Sequence, residues 1–167
     1  LREFYGAGTS RVEICKSAVL FDELHRAVAD RVHQLGVQWT LESGSQEIHA
    51  DLAHLRIVMR NLIANALDAL ESVPAGHRFL RLRLRRVDGI QRIEVEDTGP
   101  GVSPEVAADL FNPFVTTKSD GMGLGLAISR TLMRGQGGEL RLESVTGGGC
   151  RFVVVLPDGA ILERNEK

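Results

Sequence analysis

The residue pattern predicts a single mixed α/β domain, and three observations carry that prediction. Apolar residues recur at helical spacing over 20–35, 55–72 and 124–133. They alternate with polar residues over 79–87 and 92–96, as in strands with one covered face. These patterns share a chain of 167 residues that is 43% hydrophobic, enough for one sizeable core. The formal charge of -2 gives no reason to expect nucleic acid or an anionic membrane as a partner. No apolar run approaches a membrane span, and no signal peptide is visible. Cys15 and Cys150 form no CxxC or Cys/His spacing, which argues against zinc and against a disulfide framework and fits a reducing, cytoplasmic setting. The first residue is Leu rather than Met, so a piece of a longer protein is expected.

In chain order, 1–5 is a short apolar piece suited to the end of an incoming helix, and 6–10 (GAGTS) reads as a hinge. Residues 11–15 alternate as a short strand. Leu20, Leu24, Ala27, Val28, Val32 and Leu35 form the first helical face, closed by Gly36. His25 and His33 read as surface or boundary residues of that helix. Two short strands at 37–41 and 47–50 are joined by a turn at 43–45, and Asp51 is placed to cap the next helix, which stops before Pro74 and Gly76. In 79–87, Leu80, Leu82 and Leu84 alternate with Arg81, Arg83 and Arg85, giving one buried face and one basic face that reads as solvated rather than anion-binding. Asp88 and Gly89 turn the chain into a second strand of a hairpin, with Ile93 and Val95 inward and Arg92, Glu94 and Glu96 outward. A short helix from Ser103 or Pro104 to Phe111 follows. A glycine-rich run then enters the helix 124–133, and strands at 139–144 and 150–156 flank a turn at 146–149 before a polar tail, 158–167.

Three features of this layout carry chemistry. On the helix 55–72, Leu55, Met59, Leu62, Ile63, Ala66, Leu67 and Leu70 share one apolar arc, while Asn61, Asn65 and Asp68 line the opposite face. Asn and Asp are mediocre helix formers, so this stripe is either a polar outer face or a set of hard oxygen ligands suited to magnesium and phosphate. Asp97 shares parity with Ile93 and Val95, so its carboxylate points inward, where burial without a partner costs several kcal/mol, on the order of the value for an unpaired polar group. A ligand offering a donor would satisfy it; the alternative is a turn-capping Asp before Thr98 and Gly99. Gly121, Gly123 and Gly125 run into a helix start, which aims backbone N–H groups and a positive dipole end at a phosphate-sized site. No GxxxxGK[ST] occurs. Only Lys16, Lys118 and Lys167 are lysines among 20 basic residues, and Lys118 falls beside those glycines as a compact charge for phosphate.

The order of these motifs resembles the ATP-binding catalytic domain of sensor histidine kinases, in the superfamily shared with DNA gyrase, heat-shock chaperones and mismatch-repair ATPases. NLIANALDAL is similar to the N box, VEDTGPGVS to the first glycine box, LFNPF to the phenylalanine box and GMGLGLAIS to the second glycine box. TGGGCRFVVVLP is similar to the last strand region, and the resemblance spans about 11–157. It implies a Bergerat-type fold: a two-layer α/β sandwich of a mixed β-sheet with helices on one face, and a lid at about 115–122. It implies ATP and Mg2+ as cofactors. Asn65 matches the family's magnesium ligand, and Asn61 is placed to contact the metal or its waters. Asp97 would accept from the adenine amino group, with Gly99 and Gly101 letting backbone approach the base. Lys118 would reach the terminal phosphates, and the amides from Gly121 through Gly123, Leu124 and Gly125 would hold the phosphate chain. Phe111 and Phe114 would be packing residues that set the lid. By resemblance, 1–10 ends a helical dimerisation segment and hinge, 11–157 is the catalytic domain, and 158–167 is a tail.

Departures from the family's pattern sharpen the expectation. None of His25, His33, His49, His54 or His77 is followed by an acidic residue as a phosphoacceptor would be. The expected partners are therefore a histidine-containing dimerisation domain of the same protein, homodimeric in the intact molecule, and a downstream response regulator. No nucleic acid or membrane contact is expected of this chain. Cys150 stands where Thr is frequent, and Asp68 where several relatives carry a basic residue. Relatives that hydrolyse ATP carry Glu at the place of Asn61; an amide cannot act as general base, which favours transfer to histidine. The alternatives are an ATPase or serine kinase of the same superfamily, or a non-catalytic nucleotide-binding adaptor.

Overall fold

The computed structural model describes residues 11–43, 46–113 and 125–159. Its elements are β1 (Glu13–Lys16), α1 (Ser17–Leu35), β2 (Gln38–Glu42), β3 (Glu47–Ala50), α2 (Leu52–Leu70), β4 (Phe79–Val87), β5 (Ile90–Asp97), α3 (Pro104–Asp109), α4 (Gly125–Gly135), β6 (Glu139–Ser144) and β7 (Cys150–Pro157). Five strands form a mixed sheet in the order β2-β4-β5-β7-β6; β2 and β4 are parallel, and the other neighbours are antiparallel. β4 and β5 form the expected hairpin, with Asp88 and Gly89 both at positive φ as a two-residue turn requires. The expected strands β2 and β3 do not pair with each other. β3 instead pairs antiparallel with β1 in a separate two-stranded sheet.

The core lies between the inner sheet face and the helices. Leu80, Leu82, Leu84, Ile93, Val95, Phe152, Val154 and Leu156 project from alternate strand positions and are buried. The arc of α2 from Leu55 to Leu70 is buried as its spacing predicts, each large side chain contributing about 2 kcal/mol on leaving water. Asp51 caps α2 by accepting from the His54 N–H at 3.2 Å. α1 starts one turn before its first leucine because the Ser17 backbone and hydroxyl both bond the Gln46 carbonyl, at 2.9 and 2.8 Å. Its end is closed by Gly36 in the left-handed region. Arg78 then joins two helix ends, donating to the carbonyl of Leu35, the last residue of α1, and to the Glu71 and Val73 carbonyls after α2.

Two glutamine side chains tie the remaining parts together. Gln91 of β5 accepts from the His49 N–H and donates to the His49 and Pro157 carbonyls, each at 2.8 Å, which fastens the small sheet to the large one. Gln136 accepts from the Asp51 N–H at 2.9 Å, holding the C-terminal end of α4 against the start of α2, so these helices run antiparallel. On the opposite sheet face the arginines are paired rather than open: Arg81 with Glu96 and Glu42, Arg83 with Glu42, Arg85 with Glu94, Arg92 with Glu143 and Arg151 with Glu96. The basic stripe of β4 is therefore a charge-balanced outer surface. Among the described residues no helix is long and apolar enough to cross a membrane.

Candidate functional site

β5 ends on Asp97, placed by register between Leu80 of β4 and Cys150 of β7. Its parity with Ile93 and Val95 turns it inward, and it is 4% exposed. Oδ1 accepts from the Gly99 N–H at 2.8 Å. Burial raises the Asp97 carboxyl to about 6; the Gly99 hydrogen bond opposes that rise, and the Glu96 charge adds to it. At neutral pH Asp97 is thus an ionised acceptor held out of water, with one oxygen committed to the backbone.

The loop after β5 is pressed against α2. A Cβ at Gly99 would lie 2.8 Å from Asp97 Oδ1 and 2.9 Å from the Ala69 methyl, so a side chain there would drive the loop off the helix. Ala69 lies one turn beyond Asn65, so this contact brings the carboxylate to the end of the amide stripe. A Cβ at Gly101 would lie 2.9 Å from the Gly149 carbonyl, and one at Gly149 would overlap the Asp97 carbonyl, so the turn before β7 interlocks with the same loop. The Cys150 thiol, buried and facing the Asp97 charge, is pushed up to about 12 and stays neutral.

The stripe itself is half-buried at Asn61, Asn65 and Asp68. Asn61 Nδ2 donates to Ser129 Oγ of α4 at 3.1 Å, and a Cβ at Gly125 would fall 2.5 Å from Asn61 Oδ1. α2 and α4 can therefore meet closely only over a glycine. Asp68 accepts from Arg31 of α1 at 2.6 Å, and the same guanidinium reaches Glu71 at 2.7 Å. Position 68 thus brings a cation from α1 to the stripe instead of carrying one. Phe111, next to α3, packs edge-on to Phe152 with centroids 6.4 Å apart, under the Arg130 guanidinium at 4.9 Å. Lys118, Gly121, Gly123, Leu124, Phe114 and the expected lid lie outside the described residues.

Among the described residues no group of three or more His, Cys, Asp or Glu converges as a metal centre. The stripe offers the amide oxygens of Asn61 and Asn65, neutral hard donors that fit a magnesium ion completing its shell with phosphate and water. An open groove of about 480 Å³ lined by Glu42, Ser43, Gln46, Arg83, Leu84 and Arg85 lies on the outer sheet face, where Glu42 and Glu94 already occupy both guanidinium groups. Ser129, Arg31, Ala69 and Gly149 were not singled out from sequence. Ser129 carried a local signal, lying four residues after Gly125 on the same helix face; Arg31 and Asp68, 37 residues apart, carried none.

Residues 50–160 match the family of histidine kinase-, DNA gyrase B-, and HSP90-like ATPases, and the chain belongs to that family. Within it, the chain is a nucleotide-binding catalytic domain of the histidine kinase kind. It is 39% identical over 127 residues to the C4-dicarboxylate transport sensor protein DctS of Rhodobacter capsulatus, an overlap of 76% of this chain and 19% of that protein. The catalytic domain of the histidine kinase ThkA has the same fold, with a TM-score of 0.77 at 23% identity over 89% of this chain and 96% of that one. Full-length ShkA in complex with AMPPNP gives a TM-score of 0.75 at 30% identity, covering 87% of this chain and 31% of ShkA. The chain spans less than a third of DctS or of ShkA.

Proposed function

We propose that this chain binds ATP with Mg2+ and transfers the γ-phosphoryl group to a histidine on a separate dimerisation domain of the same protein, on the cytoplasmic side. A response regulator then takes the group from that histidine. The buried carboxylate of Asp97, facing the amide stripe across Gly99, is the observation that carries this reading. It accepts from the exocyclic amino group of adenine, while guanine would present an acceptor there and be repelled. Asn65 and Asn61 hold the cation through their amide oxygens, with Lys118 on the terminal phosphates. When bound, Mg2+ neutralises charge on the phosphate oxygens. The imidazole nitrogen of the incoming histidine forms the new P–N bond as the P–O bond to ADP breaks. Asn61 cannot take a proton from water, which favours transfer to a histidine over hydrolysis.

Calorimetry with Mg-ATP should show that Asp97→Asn weakens binding by about 1.5 to 3 kcal/mol, the worth of a hydrogen bond to a charged group. Unchanged affinity would remove the adenine assignment. Radiolabel from γ-labelled ATP should pass to a supplied histidine-bearing dimerisation domain, and Asn65→Ala or Lys118→Ala should impair that transfer. Free phosphate appearing in place of labelled histidine would make the chain an ATPase instead.

A further inference from the structure

A primary amide has two ends of nearly the same shape and opposite polarity, exchanged by a half-turn about its last torsion. Facing a cation, its oxygen is a ligand and its NH2 is repelled. Asn61 meets two features of α4: a helix start that favours its oxygen, and a hydroxyl that accepts from the NH2 group so placed, although a hydroxyl alone could pair with either end of the amide. Its Nδ2 donates to Ser129 Oγ at 3.1 Å, and Ser129 is 1% exposed, so water cannot take over that acceptor. Its Oδ1 lies over Gly125 at the start of α4, where the helix dipole favours oxygen.

We infer that Ser129 is a positioning residue for phosphoryl transfer: its buried hydroxyl holds the Asn61 amide so that Oδ1 is presented to the nucleotide and its cation. This rests on the role proposed above for Asn61. Loss of the hydroxyl frees the amide to rotate and present NH2, so the effect falls on use of the cation rather than on grip of the base. A Ser129 that only fills space would change stability and would leave the cation dependence alone.

The test compares the parent chain with Ser129→Ala, Ser129→Thr, Asn61→Ala and the Ser129→Ala/Asn61→Ala double variant. Two quantities are measured: the Mg2+ concentration that half-saturates binding of a fluorescent ATP analogue, and the rate of label transfer to a supplied histidine-bearing domain at saturating ATP. Ser129→Ala is expected to raise the first and lower the second by about 3- to 10-fold, the worth of one net hydrogen bond. Affinity for the analogue in chelator should stay within about twofold, since Asp97 is untouched. Ser129→Thr should restore both quantities, and the double variant should be no worse than Asn61→Ala. If Asn61→Ala impairs both readouts and Ser129→Ala neither, or if the two losses add, the positioning role falls and the Asn61 assignment stands. If Asn61→Ala changes nothing, the Asn61 assignment itself falls. Should Ser129→Ala fail to fold, Ser129→Cys, similar in volume and a poor acceptor, gives the same comparison.

Discussion

Asp97 sits where an ionised carboxylate is costly, and that cost can be measured apart from binding. Its carboxyl titrates at about 6 in the fold, against roughly 3.9 in an unfolded chain. The folded state therefore holds more protons between those values and loses stability as pH rises through them. The full gap is worth about 3 kcal/mol. Asp97→Asn keeps the shape and the acceptor for Gly99 without the charge. It should be more stable than the parent by up to about 3 kcal/mol at pH 7, with that advantage gone below pH 4. Urea denaturation at both pH values checks this, and an equal gap at both would refute it. The same variant should bind ATP less well, so stability and affinity move in opposite directions. The inward setting of Asp97 was legible because strand parity is a local property. The Asn61 to Ser129 and Arg31 to Asp68 contacts were not, because each joins helices that only the tertiary fold brings together.

Elements were legible where one covered face imposed a period, and their partners were not. β3 and β4 have the predicted bounds, yet nothing in 47–50 announces that it pairs with β1 rather than β2. What fastens the β1-β3 pair is Gln91, a fully buried amide on the inward face of β5. Gln91→Leu has similar volume but strands the His49 N–H and two carbonyls. It should lower stability by about 2 to 4 kcal/mol, seen as a lower urea midpoint. Gln91→Glu should be no better, because a carboxylate cannot donate to the His49 and Pro157 carbonyls. An unchanged midpoint in the leucine variant would mean that other contacts hold the small sheet.

For the molecule as a whole, one sheet face is oily and covered while the other is ionic. Glu94 is the centre of the ionic face: it is 2% exposed, with Arg85 at 2.8 Å, Arg151 at 3.4 Å, and Arg83 and Arg92 both at 3.9 Å. Val153, on that same face, is fully buried beside it, as arginine stems can shield apolar surface. Around them, burial alone would raise Glu96, but hydrogen bonds from Arg151 and Arg81 outweigh it and hold its carboxyl below the usual range. Arg92 does the same for Glu143. Glu94→Ala should cost about 3 kcal/mol by leaving guanidinium groups facing one another, whereas removal of the half-exposed Glu42 should cost under about 1 kcal/mol. Chemical denaturation of the two variants decides it, equal losses counting against a central role for Glu94. Alternation alone announced two faces; that arginines and glutamates from all five strands would interlock depends on register.

β5 is the middle strand of five, laddered to β4 on one side and β7 on the other, and Asp97 is its last residue. On the role proposed for Asp97, a drug-like competitor for the nucleotide would find its anchor at the heterocycle end. Compounds that mimic adenine would meet a carboxylate already fixed by the Gly99 N–H, and discrimination among proteins of this fold would have to come from groups extended towards Arg31 and Asp68.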